Sequence, residues 1–398
     1  MSISDVSGKP ALFPDWLGET TQVSKIEGML PSQEIRELIA HGHIRAYPEI
    51  NPQQVQPASL DLRLGDVGYR VQASFLPRNS TVERGIADAG LSMSRVDLTR
   101  PTVLEKGCVY IVPLLEELCL PEEISASANP KSSTGRLDIF TRLITDHGIE
   151  FEKVRRGYKG PLYVEIASRT FTVIVRAGMS LNQLRFVRGN PKASNNATAA
   201  LERTARAKDE ALVYGEEGNA LRATIGKSSV MLSVNLHASD PSEVVSYKAK
   251  KNTPVIDLSK INYYDPKDFW DVGYAPGKRG LILEAGDFYI LASKEKVSVP
   301  PDWAAEMVSM DQDIGEFRIH YAGFFDPGFG HGAGDVRGTR AVLEVRAHEV
   351  PFLIEHGQTM GLLRYIPLRS RPDKIYGTDI GSSYQRQGLA LSKHFKKS

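Results

Sequence analysis

The chain has 398 residues, enough for two domains of ordinary size. Lysine plus arginine (49) nearly balances aspartate plus glutamate (48), so a formal charge of +1 excludes a global basic field for a nucleic-acid polymer. The start of the chain lacks the basic-then-apolar pattern of a signal peptide, no apolar run reaches the length of a membrane span, and Cys108 and Cys119 cannot form a CxxC zinc knuckle; the expected setting is the cytoplasm, with no membrane partner and both thiols acting as small buried hydrophobes.

In chain order, Pro31-Ser32 opens a short amphipathic helix with Ser32 as N-cap, Ile35, Leu38 and Ile39 on one face, and Gly42 past its end. In Pro57-Ala58-Ser59-Leu60-Asp61-Leu62-Arg63-Leu64-Gly65 the leucines alternate with Asp61 and Arg63, which reads as a half-buried strand. From Val103 to Val187 short apolar runs are separated by Gly, Pro or polar clusters, the spacing of an all-β domain with peripheral helices. Within it, Lys131-Ser132-Ser133-Thr134-Gly135-Arg136 offers two cations, three hydroxyls and a glycine, the composition of an anion site. Residues 189–226 read as a connector with one helix over Thr198–Leu212.

The chain repeats itself about this connector. Leu104-Glu105-Lys106-Gly107-Cys108-Val109-Tyr110-Ile111 recurs 179 positions on as Leu283-Glu284-Ala285-Gly286-Asp287-Phe288-Tyr289-Ile290, and Val164-Glu165-Ile166 falls at the same offset on Leu343-Glu344-Val345. A duplicated β unit with one core per copy is expected, as domains 1–188 and 227–398. The copies differ at two places. The anion loop lies opposite the acidic Met310-Asp311-Gln312-Asp313-Ile314-Gly315, and only the second copy has Asp326-Pro327-Gly328-Phe329, where a Pro-Gly turn between apolar runs predicts a hairpin carrying Asp326 and Glu344. The glycine-punctuated tail from Asp373 to Gly388 has the composition of a flap that orders over a ligand.

These motifs resemble the dCTP deaminase family, within the trimeric dUTP pyrophosphatase superfamily, in its tandem form. The 57–65 run is similar to the family's N-terminal signature and Lys131–Arg136 to its phosphate motif, with Lys131 where an arginine is usual. Asp326–Gly330 and Leu343-Glu344-Val345 resemble its nucleoside hairpin and catalytic strand, and Tyr384-Gln385-Arg386-Gln387-Gly388 its tail. The resemblance implies distorted β-barrel, jelly-roll-like (dUTPase-like) units and hydrolysis of dCTP to dUTP and ammonia. It also implies Mg2+ accompanying the triphosphate, sites shared between neighbouring subunits, and a homo-oligomer, most simply a trimer. None of the nine histidines begins His-x-Glu and no Pro-Cys-x-x-Cys occurs, so the usual zinc deaminase site cannot be assembled.

By the same resemblance Glu344 or its repeat partner Glu165 is the general base, and Ser132 and Arg136 orient water and stabilise charge. Lys131, Ser133, Lys374, Tyr384 and Gln385 hold phosphates, Tyr376 is a further substrate contact, and Ala322 and Asp326 meet base and deoxyribose. No copy carries the full set, so the first is expected to donate its Ser-Ser-x-x-Arg loop and the second its hairpin and tail. The alternatives are a dUTP pyrophosphatase, a bifunctional deaminase/pyrophosphatase with Asp326 as base, or a non-catalytic nucleotide-binding regulator.

Overall fold

The computed structural model describes residues 27–191, 194–308, 317–319, 323–331, 337–347, 349–377 and 388–397. Ala322, Tyr384 and Gln385, the acidic segment 310–315 and the inserted glycines at 332 and 334 lie outside these residues.

The fold is mainly β, built from two units whose strands pair in the same register. In the first, Val109–Cys119 and Lys159–Ser168 run antiparallel with Ile111 opposite Glu165; in the second, Phe288–Val297 and Thr339–Ala347 do so with Ile290 opposite Glu344. Leu60–Arg63 pairs with Ser180–Arg188, Leu60 opposite Leu184, and Ser229–Ser233 pairs with Thr359–Pro367, Val230 opposite Leu363. Even the register shift recurs, between Ser180 and Asn182 and between Leu232 and Ser233. Local hydrogen bonds repeat as well. The Tyr110 hydroxyl accepts from Glu105 N at 3.1 Å, and that of Tyr289 from Glu284 N at 3.0 Å.

The units do not keep separate cores. One cluster, including Leu232, Leu291, Leu343 and Tyr365, comes only from the second half. The larger one joins Leu62, Val112, Val164 and Phe186 of the first half to Phe269, Trp270, Phe288, Ile290 and Phe395 of the second. Ile256–Asp257 adds a parallel strand to Val173–Val175, and Met29 bridges to Leu368. Such a shared apolar core holds the units in one arrangement.

Four further expectations are corrected. The helix spans Ser32–Ala40 as its periodicity predicts, but Pro31 is the cap residue and the Ser32 hydroxyl donates to Asp373 instead. The connector helix is Asn195–Arg206, capped by Ser194, and residues 213–226 already pair within the second unit's sheets. The two apolar runs beside the turn do not pair with each other: Phe324–Phe325 pairs with Trp303–Val308 in one sheet, whereas the Glu344 strand pairs in another with Phe288–Val297 and, antiparallel, with the earlier Phe317–Ile319. The Pro-Gly turn therefore switches the chain between sheets. Gly328 and Gly330 take left-handed φ of 93° and 61°, and a Cβ on Gly330 would lie 2.8 Å from Thr339 N. Cys108 and Cys119 are half-buried rather than core residues.

Candidate active site at the junction of the two units

Strand alternation decides where Glu344 points. Leu343, Val345 and Ala347 are fully buried in the second unit's core, so Glu344 and Arg346 face the other way, onto the first unit. There the Arg346 guanidinium pairs with Asp138, which is fully buried and also accepts from Thr170 Oγ1 at 2.5 Å. Asp138 ends the loop that carries the anion motif, so this ion pair fixes the loop against the Glu344 strand.

The motif itself is a single helical turn, Ser132–Gly135, entered from an extended Lys131. Ser133, Gly135 and Arg136 are buried, whereas Lys131 and Ser132 are half-buried. Gly135 is required by close approach: a Cβ there would lie 2.9 Å from Glu344 Cδ and Oε1, and closer still to Oε2. The first unit's Ser-Ser-x-x-Arg loop and the second unit's glutamate thus meet within one chain.

Glu344 is 6% exposed and makes no hydrogen bond or ion pair among the described residues. Burial pushes its carboxyl well above the usual range; the Arg136 charge opposes that shift and Asp138 adds to it. Glu165, at the equivalent rung of the first unit, is held differently. It accepts from Arg142 Nε and Nη2 at 3.0 and 2.6 Å, and that guanidinium stacks on Phe151 at 3.7 Å. Both N–H groups fall on one oxygen, Oε1, and a carboxylate engaged in such an ion pair is a poor proton shuttle. Of the two glutamates, Glu344 has the surroundings of an acid–base group.

The remaining residues fall around this pair. Lys131 forms an ion pair with Asp61, and Asp61 is buried rather than outward-facing as its place in the alternating strand suggests. Burial raises the Asp61 carboxyl while Lys131 and Lys393 oppose the shift. Asp326 is half-buried and bound to Arg185 at 3.1 Å; burial raises its carboxyl against the pull of that guanidinium. Lys374 reaches back over the first unit, its ammonium 3.4 Å from Val55 O. Tyr376 packs on the turn, its ring centroid 5.6 Å from that of Phe329, with its N–H donated to Pro327 O at 3.0 Å.

Sequence reasoning missed three contributors. Arg185 is fully buried and crosses from the first unit to the second. It donates to Ala305 O at 2.8 Å and Phe325 O at 2.9 Å and stacks on Phe324 at 4.0 Å. The Asp138–Arg346 pair carried no motif. The end of the chain was also passed over: Ser392 Oγ donates to Ser133 O at 2.7 Å and Arg136 Nη1 to Ala390 O at 3.1 Å, so residues 390–392 strap the anion loop. An arginine between Leu184 and Phe186 was the one available signal, because such a charge needs a partner if its neighbours carry it into a core.

Comparison with known proteins agrees with this layout. The model of the dCTP deaminase N-terminal domain matches residues 26–190 and that of its C-terminal domain residues 197–395. A crystal structure of 2'-deoxycytidine 5'-triphosphate deaminase from Agrobacterium tumefaciens is 47% identical, with a TM-score of 0.79, covering 86% of this chain and 99% of its own. Among curated proteins, a dCTP deaminase of Halorubrum lacusprofundi is 30% identical over 160 residues, 40% of this chain and 76% of the relative. A "dCTP deaminase, dUMP-forming" of Methanosphaera stadtmanae is 26% identical over 140 residues, 35% of this chain and 68% of the relative. With both domain models matched in order and a solved relative aligned over nearly its whole length, the chain belongs to the dCTP deaminase family.

Proposed function

We propose that the chain hydrolyses dCTP to dUTP and ammonia at the junction of its two units. The observation that carries this reading is Glu344, a buried carboxyl without a hydrogen-bond partner among the described residues, set against Gly135 and beside Arg136. Deamination at carbon 4 needs one group that first takes a proton from water and then returns protons to the ring nitrogen and the departing amine. A carboxyl whose pKa is displaced upward toward neutrality suits both tasks.

In this reading Glu344 takes one proton from water as hydroxide adds to carbon 4 and passes it to the ring nitrogen; it then takes the proton of the new carbon-4 hydroxyl and passes it to the amine, which leaves as ammonia while the carbonyl forms. Arg136 stabilises the charge that develops, and Ser132 orients the water. Lys131 leaves Asp61 for the phosphates, joined by Ser133 and by Lys374, Tyr384 and Gln385 of the tail, with Tyr376 holding the tail against the turn. Ala322 and Asp326 meet base and sugar. Mg2+ enters with the triphosphate as a component of the substrate. We assign the enzyme to the cytoplasm and to a homo-oligomer, most simply a trimer.

Ammonia release from dCTP, dCMP and CTP tests the proposal, with products resolved as dUTP or as dUMP plus pyrophosphate because family members carry both names. Arg136→Ala is expected to abolish turnover. An unchanged rate removes the loop from the chemistry.

A further inference from the structure

The repeat exposes a second difference, away from the Glu344 site. In the first unit Glu116 is fully enclosed: its carboxylate accepts from Arg63 N and Nε, both at 2.8 Å, and from Gln54 Nε2 at 2.9 Å. The same rung of the second unit holds Glu295, which accepts from Ser233 N at 2.8 Å and Ser233 Oγ at 2.6 Å. Serine has replaced arginine, and among the described residues nothing takes the place of Gln54. A cavity of about 440 Å3 opens beside Glu295, a volume in the range of small-molecule sites.

Its lining is new to the second unit. Lys294, Arg340 and His356 occupy positions filled by Leu115, Pro161 and Ala177 in the first. The acids around it already have partners: Glu295 is bonded to Ser233, Glu216 to Arg340, and Glu243 to Ser239 N at 3.0 Å. Arg222 and Lys294 are exposed lining residues without a hydrogen bond or ion pair among the described residues. His356 Nδ1 accepts from Leu236 N at 3.2 Å, which places its proton on Nε2 as a donor. The His237 ring stands edge-on to it at 5.8 Å. The His356 imidazole is held below its usual range by burial and by Lys294, His237 and Arg340, with Glu295 opposing them.

We propose that this cavity binds a small phosphorylated ligand, with phosphate oxygens between Arg222 and Lys294 and the two histidine rings beside them. Arg222 and Lys294 offer one phosphate group charge-assisted donors that no carboxylate among the described residues engages, and the cavity exceeds what a single ion would fill.

Inorganic pyrophosphate is the probe, titrated into the full chain while the imidazole resonances of His237 and His356 are followed. Saturable shifts of both are expected, and the double substitution Arg222→Ala, Lys294→Ala should raise the Kd about 100-fold, one power of ten per charge-assisted contact. The shifts should persist in Arg136→Ala, which separates this cavity from the Glu344 site. The proposal is overturned if the two resonances stay fixed at millimolar pyrophosphate, if the double variant titrates like the wild type, or if Arg136→Ala loses the response. An equal response to succinate overturns the phosphate assignment. Both substituted residues are exposed, so the remaining histidine resonances should report an unchanged fold.

Discussion

Gly135→Ala is the sharpest perturbation of the junction. The added Cβ would lie 2.9 Å from Glu344 Cδ and Oε1 and nearer to Oε2. Regaining ordinary van der Waals separation of about 3.5 Å requires the carboxylate to move by roughly 1 Å. That group is the free end of a side chain, so it can yield without moving either backbone, and alanine is the better helix former by about 1 kcal/mol. Stability should therefore hold or rise slightly. Catalysis should not hold, because a misplacement of about 1 Å at a reacting group costs on the order of 100-fold, or about 2.7 kcal/mol of activation free energy. Steady-state ammonia release from dCTP, alongside thermal melting and dCTP binding, separates these outcomes. Unchanged turnover in a normally melting variant would refute the placement of Glu344 against Gly135 as an element of the catalytic geometry.

Further predictions concern the ionisable groups. Glu344→Gln should abolish deamination while retaining dCTP binding, and it should also stabilise the free chain at neutral pH. The sign follows from linkage: a carboxyl raised in the folded state binds more protons there than when unfolded, so stability is lost as pH rises from the ordinary carboxylate range through the raised value. The gain from the glutamine should fade as pH falls to that range, and melting temperature against pH for both proteins tests it; parallel curves would contradict the burial of a free carboxyl. The same shift should place the acid limb of kcat/KM for dCTP above that of an ordinary carboxylate. Glu165→Gln should leave turnover intact and lower the melting temperature, because Arg142 loses its charged partner; loss of activity in a stable variant would transfer the base to Glu165. Arg185→Ala strands the carbonyls of Ala305 and Phe325 as well as Asp326, and should cost about 3–5 kcal/mol in denaturant unfolding. A neutral result would mean that the turn is held by something else.

The repeat was the most legible feature of the chain, because an offset in sequence becomes a register in a ladder. Glu165 and Glu344 sit at equivalent rungs, and the composition of Lys131–Arg136 marked one half of the site. The arms of the hairpin were misplaced for a physical reason: a Pro-Gly turn between apolar runs fits a sheet switch as well as a tight hairpin, and only the pairing of Phe324–Phe325 with Trp303–Val308 and of Phe317–Ile319 with the Glu344 strand separates the two. Asp138, Arg346 and Arg185 were illegible because their partners lie 208 and 141 positions away, and no local periodicity records such a distance. Asp61 shows the limit of alternation itself: a polar position in an alternating strand is not exposed when a loop of its own unit, here that of Lys131, covers it.

The contact of Gly135 with Glu344 has one more consequence. The two halves of the proposed chemistry are carried on a single polypeptide whose units share a core, so their encounter is first order and independent of protein concentration. An enzyme whose site lies between separate subunits loses activity as it is diluted below its dissociation constant. Here dilution leaves Arg136 and Glu344 face to face.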